Sequence, residues 1–304
     1  MKQPVVSEYQ AGLACPLCRA EKSHKLVATV WKAPEASVYQ CASCRIVYLH
    51  PIMTPEEERL FYEADFTRYM AGRGQEGQRN AEDNFAKNRG EAERRHDQLR
   101  PWLRKESRVL EIGSATGFLL EALRREGASV TGVEPGPEYR AYACERGLQT
   151  YASMAEVSLE TFDLILAYYV LEHLRDPVGY LKDLRRRLAP GGAVALEVPN
   201  VEDALAWFYQ LAAFDRFYWQ KAHYFYYSRM TLRAVLERAG FARVSIFPVQ
   251  RYDFSNHLHW LLKGEPGGKG KYSDIFDEKL DREYSECLKR HWLCDTLFAI
   301  AHAD

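Results

Sequence analysis

Two pairs of cysteines near the amino end have the spacing of a metal site. Four of the seven cysteines form the C-x2-C pairs Cys15/Cys18 and Cys41/Cys44. Each pair places two sulfurs on one tight turn, and the β-rich segment between the pairs can form a hairpin that returns the second turn to the first. We therefore expect a closed, structural zinc site with four thiolate ligands, with iron in a rubredoxin-like site as the alternative. His24 and His50 are expected to be bystanders.

Two of the nine histidines stand where they could move a proton. His173 lies in "VLEHLRDP", just beyond the apolar run of residues 162–171, and His223 lies in the aromatic segment "WQKAHYFYYS". Imidazole exchanges a proton near neutral pH, and α/β sheets bind ligands at the edge where their parallel strands end. The alternative for His173 is a packing role in the fold. The alternative for His223 is a place among stacked aromatic side chains that form a lid.

A glycine turn and a carboxylate mark a nucleoside site. In "VLEIGSATGFLL" a strand ends at Ile112, and Gly113 and Gly117 bracket a tight turn into a helix. Glu134 ends the next strand, from which its carboxylate can accept hydrogen bonds from both hydroxyls of a ribose. The spacing G-x-x-x-G differs from the G-x-G-x-x-G turn of dinucleotide-binding proteins, which argues against a dehydrogenase.

The elements around these residues alternate between strands and helices from Ser107 onward. The strand "RVLEIG", the helix "GFLLEALRREG", the strand "SVTGVEP" and the buried strand "FDLILAYYV" predict βαβ units and a parallel sheet. Asp176 and Pro177 predict the start of a further helix, as Thr54 and Pro55 do upstream. The predicted fold class is α/β, a Rossmann-like sheet with helices on both faces, preceded by a small zinc ribbon.

The order of these motifs resembles that of class I S-adenosylmethionine-dependent methyltransferases. "EIGSATG", "VEP", "FDLILAYYVLEHLRDP" and "LAPGG" follow one another over roughly residues 105–245. The resemblance implies that Glu111 and the glycine turn surround the methionine part of the cofactor, and that Glu134 holds the ribose. It further implies that Tyr168 closes over the cofactor. The chain has "AYYVLEH" where amino-methylating enzymes of nucleobases have a proline-rich segment, which argues against that class.

The resemblance is carried over residue by residue. Ala115 stands in place of the usual middle glycine of the turn. Ser153 and Met154 are expected to flank the adenine, and Tyr62 and Tyr69 to cover the cofactor from outside. The implied cofactor-binding residues are Glu111, Gly113, Ser114, Ala115, Gly117, Phe118, Glu134, Pro135, Ser153, Met154, Tyr168 and Tyr69.

The two histidines could serve as general bases, because the substrate that accepts the methyl group must lose a proton when it is methylated. We expect His223 to remove that proton, with His173 assisting. The segment around His223 is similar to the Glu-His-x-x-Tyr-Phe-Ser motif of sugar C-methyltransferases, but Ala222 replaces the glutamate. This departure favours methylation of a hydroxyl over methylation of a carbon.

The acceptor is expected to be a sugar, a nucleotide sugar or a related small metabolite. The cysteine pairs and the segment after them resemble the amino-terminal zinc ribbon of bacterial saccharide-pathway methyltransferases. The aromatic residues between 204 and 227 have faces that suit hydroxylated acceptors. Three alternatives stay open: C-methylation of a keto-sugar, a ribbon that docks nucleic acid or protein, and a cofactor-binding pseudoenzyme.

Three regions divide the chain. They are a four-cysteine zinc ribbon over residues 1–50, a helical linker or cap over 51–104, and the methyltransferase domain over 105–304. The sparse apolar residues of the linker predict that it packs on the outside of the main domain. Within that domain we expect an aromatic lid over residues 204–228 and an insert over residues 251–292. In the insert, Asn256, His257 and His259 either border the acceptor pocket or lie in a solvated loop.

The composition and the amino end predict a cytoplasmic protein, and the resemblance implies a small-molecule acceptor. The net charge is −1, which provides no general attraction to nucleic acid or to an anionic membrane. The amino end lacks the apolar core of a signal peptide. The apolar run of residues 162–171 is too short to span a bilayer. Oligomeric state is left open.

Overall fold

The computed structural model describes residues 9–10, 13–21, 23–61, 69, 80–158 and 160–303. The strands are β1 (Tyr9–Gln10), β2 (His24–Val30), β3 (Ala33–Cys41), β4 (Val47–His50), β5 (Arg108–Ile112), β6 (Ser129–Val133), β7 (Gln149–Tyr151), β8 (Phe162–Tyr168), β9 (Leu188–Pro199), β10 (Phe225–Tyr226), β11 (Arg243–Val249) and β12 (Thr296–His302). The helices are α1 (Pro55–Leu60), α2 (Ala81–Lys87), α3 (Arg89–Leu99), α4 (Phe118–Arg125), α5 (Pro137–Glu145), α6 (Pro177–Arg186), α7 (Ala204–Trp207), α8 (Ala212–Tyr218), α9 (Arg229–Arg238), α10 (Phe254–Lys263) and α11 (Glu278–Arg290). None of the helices in this described part of the chain combines the length and apolar character needed to cross a membrane.

The smaller sheet is antiparallel and takes its last strand from a distant part of the chain. Its order is β1-β2-β3-β4-β10, and β10 pairs with β4 so that Phe225 lies opposite Tyr48. The turn between β3 and β4 carries the second cysteine pair and is closed by a 3.0 Å backbone hydrogen bond between residues 41 and 46. The sheet predicted for residues 1–50 therefore extends into the main domain by strand pairing.

The larger sheet has the order β11-β12-β9-β8-β5-β6-β7. Neighbouring strands from β9 to β7 are parallel, as the sequence predicts. The last strand, β12, instead runs antiparallel to both β9 and β11. The expectation of a parallel sheet is wrong for this strand, because an apolar run has the same pattern in either direction.

Helices cover both faces of the larger sheet. Alternate side chains of a strand point to opposite sides, so the apolar strands present an apolar surface on each face for helices to bury. On β5, Val109 packs with Leu99 of α3 and Leu119 of α4. Leu110, the next residue, packs in the cluster that contains Leu181 of α6. The predicted Rossmann-like α/β fold with helices on both faces is confirmed.

Two predicted helix starts are confirmed by their caps. The Thr54 side chain accepts a hydrogen bond from the Glu57 amide at 3.2 Å at the start of α1. The Asp176 carboxylate accepts one from the Gly179 amide at 2.9 Å at the start of α6. The strand that follows α6 begins at Leu188, earlier than the "APGG" segment predicts.

The insert of residues 251–292 is folded into α10 and α11 with turns between them. The three polar side chains that the sequence draws attention to are buried: Asn256 is 5% exposed, His257 2% and His259 1%. Both histidines form hydrogen bonds with tyrosine hydroxyls of the insert, at 2.8 and 3.1 Å. The expectation of a solvated loop is wrong, since these side chains hold the insert together.

Candidate active site

The glycine turn (residues 113–117) forms where the sequence predicts it. The amides of Gly113 and Ser114 donate to the carbonyl of Val133, at 2.8 and 3.1 Å, which ties the turn to the end of β6. Gly117 has a φ of 77°, and a Cβ there would lie 2.3 Å from a methyl group of Leu148. Glycine is therefore required at this position both for the left-handed backbone and for the close packing.

Glu134 lies against this turn. Its Oε2 accepts a hydrogen bond from the Ala115 amide at 2.9 Å, and its Oε1 accepts one from the Gly136 amide at 2.7 Å. Burial raises the pKa of the carboxyl group above its ordinary value, and the two amides partly oppose that shift. The structure thus brings together the turn and the carboxylate, which are separate in the sequence.

Three buried polar atoms around the turn have no hydrogen-bond partner among the described residues. They are Glu111 Oε2, Ser114 Oγ and the Tyr168 hydroxyl. Burial raises the pKa of Glu111 to about 8, with Arg95 opposing the shift and Glu134 adding to it. Because buried polar groups are almost always paired in folded proteins, these atoms fit a site that a polar ligand completes. The ammonium and hydroxyl groups of S-adenosylmethionine suit such donors and acceptors.

Sequence reasoning missed the contribution of α3 to this site. The Arg95 guanidinium lies 4.3 Å from the centre of the Tyr168 ring and donates to Glu197 at 3.2 Å. Arg94 donates twice to the same carboxylate, at 2.7 and 2.9 Å. Arg95 is only 7% exposed, so the prediction that this stretch packs on the outside is wrong for this side chain. A charged residue in a polar helix provides no periodic signal of burial.

The remaining predicted cofactor residues lie at varied depths. Phe118 begins α4 and faces Arg95 at 5.9 Å. Pro135 is exposed, and its carbonyl accepts a hydrogen bond from Arg140 at 2.9 Å. Met154 packs partly buried against the core, whereas Ser153 is exposed and donates to a glutamate of its own turn at 3.1 Å.

Tyr69 is buried in a small aromatic cluster. Its ring packs 5.4 Å from Phe61 and 5.6 Å from Trp31, and its hydroxyl accepts a hydrogen bond from the Lys221 amide at 3.4 Å. The structure therefore places this tyrosine beside the segment that precedes His223. Tyr62, the other expected cover of the cofactor, lies outside the described residues.

His173 and His223 come together although they are far apart in the sequence. Their ring centres lie 4.8 Å apart, nearly perpendicular. The His173 Nδ1 lies 2.7 Å from the Ala222 carbonyl, which can only accept a hydrogen bond, so this nitrogen carries the proton and Nε2 is left as an acceptor. Burial lowers the pKa of His173, which keeps the imidazole neutral and able to take a proton at neutral pH.

Glu172 completes this group, and sequence reasoning missed it. The side chain is 1% exposed, and neither carboxylate oxygen has a hydrogen-bond partner among the described residues. Its Oε1 lies 4.0 Å from His173 Nε2. Burial raises the pKa of Glu172 to about 8. The signal in the sequence was a carboxyl side chain directly after the apolar run of residues 162–171.

We call Glu172, His173 and His223 the acceptor cluster, since one potential ligand atom from each lies within 4.8 Å of the others. Glu172 and His173 follow β8 at the carboxyl edge of the sheet, and His223 comes just before β10. Val170, which precedes it, would contact a Cβ placed on Gly113 at 3.0 Å. The acceptor cluster and the glycine turn therefore adjoin. A carboxyl group with two imidazoles can exchange a proton or bind a cation.

The four cysteines of the predicted ribbon converge. Cys15 Sγ lies 3.6 Å from Cys44 Sγ, and Cys18 Sγ lies 3.7 Å from Cys41 Sγ. A tetrahedral zinc ion with Zn–S bonds of about 2.3 Å separates its sulfur ligands by about 3.8 Å. The contact between Cys15 and Cys44 lowers the pKa of Cys15 and raises that of Cys44, so the pair shares one proton in the absence of a metal ion. The donor set and its spacing fit a four-thiolate metal ion.

The expected aromatic lid is mostly interior. Tyr224 and Tyr226 are 2% and 1% exposed, and Tyr227 is fully buried, whereas Trp207 and Phe208 are 58% and 66% exposed. The Tyr227 carbonyl accepts a backbone hydrogen bond at 2.9 Å from the amide of residue 201. The tyrosines after His223 thus fix the path of the chain rather than cover an open pocket.

Comparison with known proteins gives a family and a fold. A model described as a methyltransferase domain matches residues 85–246. The ubiquinone biosynthesis O-methyltransferase of Vibrio cholerae serotype O1 is 34% identical over 103 residues, which cover 31% of this chain and 42% of the relative. The tRNA U34 carboxymethyltransferase of Hahella chejuensis is 29% identical over 172 residues, covering 50% of this chain and 51% of the relative. The chain spans about half the length, or less, of these relatives, and neither is named for a sugar acceptor.

Among solved structures, a SAM-dependent methyltransferase from Archaeoglobus fulgidus is 21% identical with a TM-score of 0.50, covering 72% of this chain and 96% of that one. This likeness supports the fold alone. The match of residues 85–246 is more specific, since it contains the glycine turn, Glu134 and the acceptor cluster and spans more than half of the chain. The chain belongs to the methyltransferase-domain family.

Proposed function

We propose that this chain transfers a methyl group from S-adenosylmethionine to a hydroxyl of a small metabolite. The observation that carries the proposal is the acceptor cluster, which adjoins the glycine turn through Val170 and Gly113. Two half-buried imidazoles and a buried carboxyl group at this edge would meet an acceptor where a methyl donor in the turn could reach it. The match to a methyltransferase-domain family supports S-adenosylmethionine as the methyl donor. The name of the Vibrio cholerae relative, an O-methyltransferase, supports oxygen as the methylated atom.

Each residue of the site has a task in this proposal. When bound, S-adenosylmethionine supplies an electrophilic methyl group. Glu134 holds the ribose hydroxyls, and Glu111 and Tyr168 meet the methionine part. His223 removes the proton from the acceptor hydroxyl. His173 assists beside it, oriented by the Ala222 carbonyl.

The proposed acceptor is a sugar, a nucleotide sugar or a related metabolite. Beside His223, the aromatic rings of Trp31, Phe61 and Tyr69 pack together next to Lys221. Aromatic rings with polar neighbours suit hydroxylated ligands, which present apolar faces and polar edges. The four-cysteine ribbon, proposed to hold zinc, supports the same class by its resemblance to saccharide-pathway methyltransferases.

Glu172 favours a second candidate, carbon methylation of a keto-sugar. The motif of sugar C-methyltransferases has a glutamate where this chain has Ala222. Glu172 supplies a carboxylate next to the same histidines from another part of the chain. This candidate predicts that the protein exchanges the acidic proton beside the ketone with solvent deuterium, a step that hydroxyl methylation does not include.

Calorimetric titration with S-adenosylmethionine and S-adenosylhomocysteine tests the cofactor site. We expect micromolar binding, weakened by about 100-fold or more in Glu134→Ala, because two hydrogen bonds to a charged group contribute about 1.5–3 kcal/mol each. Glu145→Ala, on the exposed side of α5, is the matched control and should bind normally. A folded protein that binds neither ligand would refute the proposal.

The role of His223 as general base is tested after a substrate that accepts the methyl group has been found. Nucleotide sugars and related metabolites are screened for this purpose. We expect His223→Ala to lower kcat by about 10²–10⁴-fold, the usual contribution of a general base. Cofactor affinity should stay unchanged. His291→Ala, at an exposed histidine, is the control. Near wild-type turnover in His223→Ala would remove this residue from the mechanism.

A further inference from the structure

We propose that the four-cysteine centre is a positioning element of the acceptor cluster: a metal ion bound there holds β4 in register, and β4 holds the His223 segment against Glu172 and His173. The inference rests on the proposed function, since it concerns the same cluster. It assigns the ribbon a role in the reaction without contact between the ribbon metal and the acceptor.

The first link joins the second cysteine pair to β4. The turn of residues 41–46 ends β3 and leads directly into β4. Hydrogen bonds from the Arg45 amide to the Cys41 carbonyl (2.9 Å) and between residues 41 and 46 close this turn. Gln40 lies opposite Val47, and the pairing continues from there along β4. A metal ion that fixes this turn therefore fixes the register of β4 on β3.

The second link joins the first cysteine pair to β4 through a buried histidine. His24 Nε2 lies 3.2 Å from the Ala20 carbonyl, which also accepts the Cys15 amide at 2.9 Å. Because that nitrogen donates, His24 Nδ1 accepts from the Tyr48 hydroxyl at 2.8 Å. His24 is fully buried and Tyr48 is 1% exposed. The expected bystander of the metal thus connects the first turn to the middle of β4.

The third link joins β4 to the acceptor cluster. β10 pairs with β4, and the Leu49 amide donates to the Tyr224 carbonyl at 3.0 Å. The Tyr224 amide donates to the Glu172 carbonyl at 2.7 Å. On the other side of His223, the Ala222 carbonyl accepts the His173 Nδ1 proton at 2.7 Å. Both neighbours of His223 in the chain are therefore bound to the Glu172–His173 turn, and one of them is also bound to β4.

The cofactor site does not share these hydrogen bonds, although side chains of β4, β5 and β6 belong to one hydrophobic core cluster. Among the described residues, no hydrogen bond joins residues 13–50 to the glycine turn or to Glu134. The turn is tied instead to Val133, the last residue of β6. Loss of the ribbon metal should therefore loosen the acceptor cluster and leave the cofactor site intact.

The test removes the metal from the full-length protein with a chelator under reducing conditions, with metal content followed by elemental analysis. Hydrogen exchange, measured by mass spectrometry, should become about tenfold faster or more in residues 220–227 and stay unchanged in residues 108–117, since local opening is governed by local contacts. The affinity for S-adenosylhomocysteine should change by less than about twofold. With an acceptor in hand, kcat should fall by about 10²-fold, the scale expected for misplacement of a catalytic group by about 1 Å.

Tyr48→Phe is the milder variant, since it keeps the ring and removes only the hydrogen bond to His24. We expect faster exchange in residues 220–227 with normal metal content, while Tyr180→Phe, on α6, should leave exchange there unchanged. For the cysteines, Cys44→Ser should act like metal removal, and Cys287→Ser, at an exposed cysteine, should not.

The exchange and affinity measurements need no acceptor, so they judge this inference even if the proposed reaction fails. Equal loss of protection in residues 108–117 and 220–227 would show a general stabilising role and overturn the inference. Unchanged exchange in residues 220–227 after metal removal would overturn it as well. So would a protein that carries no metal after growth with added zinc and iron.

Discussion

The glycine turn and Glu134 come from one continuous stretch of chain, whereas the proposed acceptor half of the site is assembled from three. We call this stretch, residues 108–134, the cofactor half: it is a strand, turn, helix and strand whose ends meet at the Gly113 and Val133 backbone. Arg95 and Tyr168 lie beside it from other segments. The acceptor half consists of residues 41–50, 171–175 and 220–227, joined by β4–β10 pairing and by the Ala222 and Tyr224 hydrogen bonds. The comparison shows that the two halves of one site can depend on different stabilising contacts.

The halves also share one electrostatic feature. Each contains a buried carboxyl group, Glu111 or Glu172, whose pKa burial raises to about 8. In both, at least one carboxylate oxygen has no hydrogen-bond partner among the described residues. Neither half therefore reaches its full complement of polar contacts from the described residues, which is expected of surfaces that receive ligands.

The largest expected effect is the loss of stability caused by replacing Glu197, on β9. Glu197→Ala would leave Arg95 buried without its carboxylate and should lower the free energy of unfolding by about 3–5 kcal/mol. Urea denaturation measures the change. Glu283→Ala is the control, because its pair with Lys279 is exposed and should contribute less than about 1 kcal/mol. Equal effects of the two variants would contradict the buried network.

Gly117→Ala should affect the cofactor half alone. The added methyl group meets Leu148 at 2.3 Å in a left-handed backbone, so we expect a cost of about 2–4 kcal/mol from strain and overpacking together, and weaker cofactor binding. Gly191→Ala has the same strain, with a φ of 75° and nothing within 4 Å of the new methyl group. It should cost less, and hydrogen exchange in residues 220–227 should not change in either variant.

Glu172→Gln, in the acceptor half, should change how the free energy of unfolding depends on pH. The folded chain keeps a proton on Glu172 that the unfolded chain releases above pH 4.5, because burial raises the pKa to about 8. The free energy of unfolding of the wild-type protein should therefore decrease as the pH rises from 4.5 to about 8. The contribution of this group is at most about 1.4 kcal/mol per pH unit. The variant cannot ionise, so its stability should fall less over the same interval. Parallel urea titrations at several pH values measure this, and identical slopes would contradict the shifted pKa.

The smallest effect is expected at the end of the acceptor half. Ser228 accepts a hydrogen bond from the Thr231 amide at 3.3 Å and caps α9, directly after the His223 segment. Ser228→Ala should cost about 1 kcal/mol and lower turnover more than cofactor affinity. Asp277→Ala removes a cap of the remote helix α11 and should cost about as much without changing turnover. Equal turnover in the two variants would show that α9 does not steady the acceptor half.

Much of the fold could be predicted from local patterns. The strands of residues 108–133, the turn between them and the helix start at Asp176 follow from side-chain periodicity, glycine and capping chemistry, which act over a few residues. Pairing partners could not be predicted in this way. β12 inserts antiparallel beside β9, and β10 joins the ribbon sheet, yet a two-residue strand such as Phe225–Tyr226 carries almost no periodic signal.

For the site, the sequence by itself determined the glycine turn, the carboxylate of Glu134 one strand later, and, outside the cofactor half, the cysteine spacing. These depend on residues close in the chain or on a repeated motif. Only the tertiary structure decided that Glu172 and Arg95 are buried and that His173 meets His223. The physical reason is that burial and contact depend on surfaces contributed by segments more than a hundred residues apart, such as β4 and β10, and no local pattern records which segments will meet.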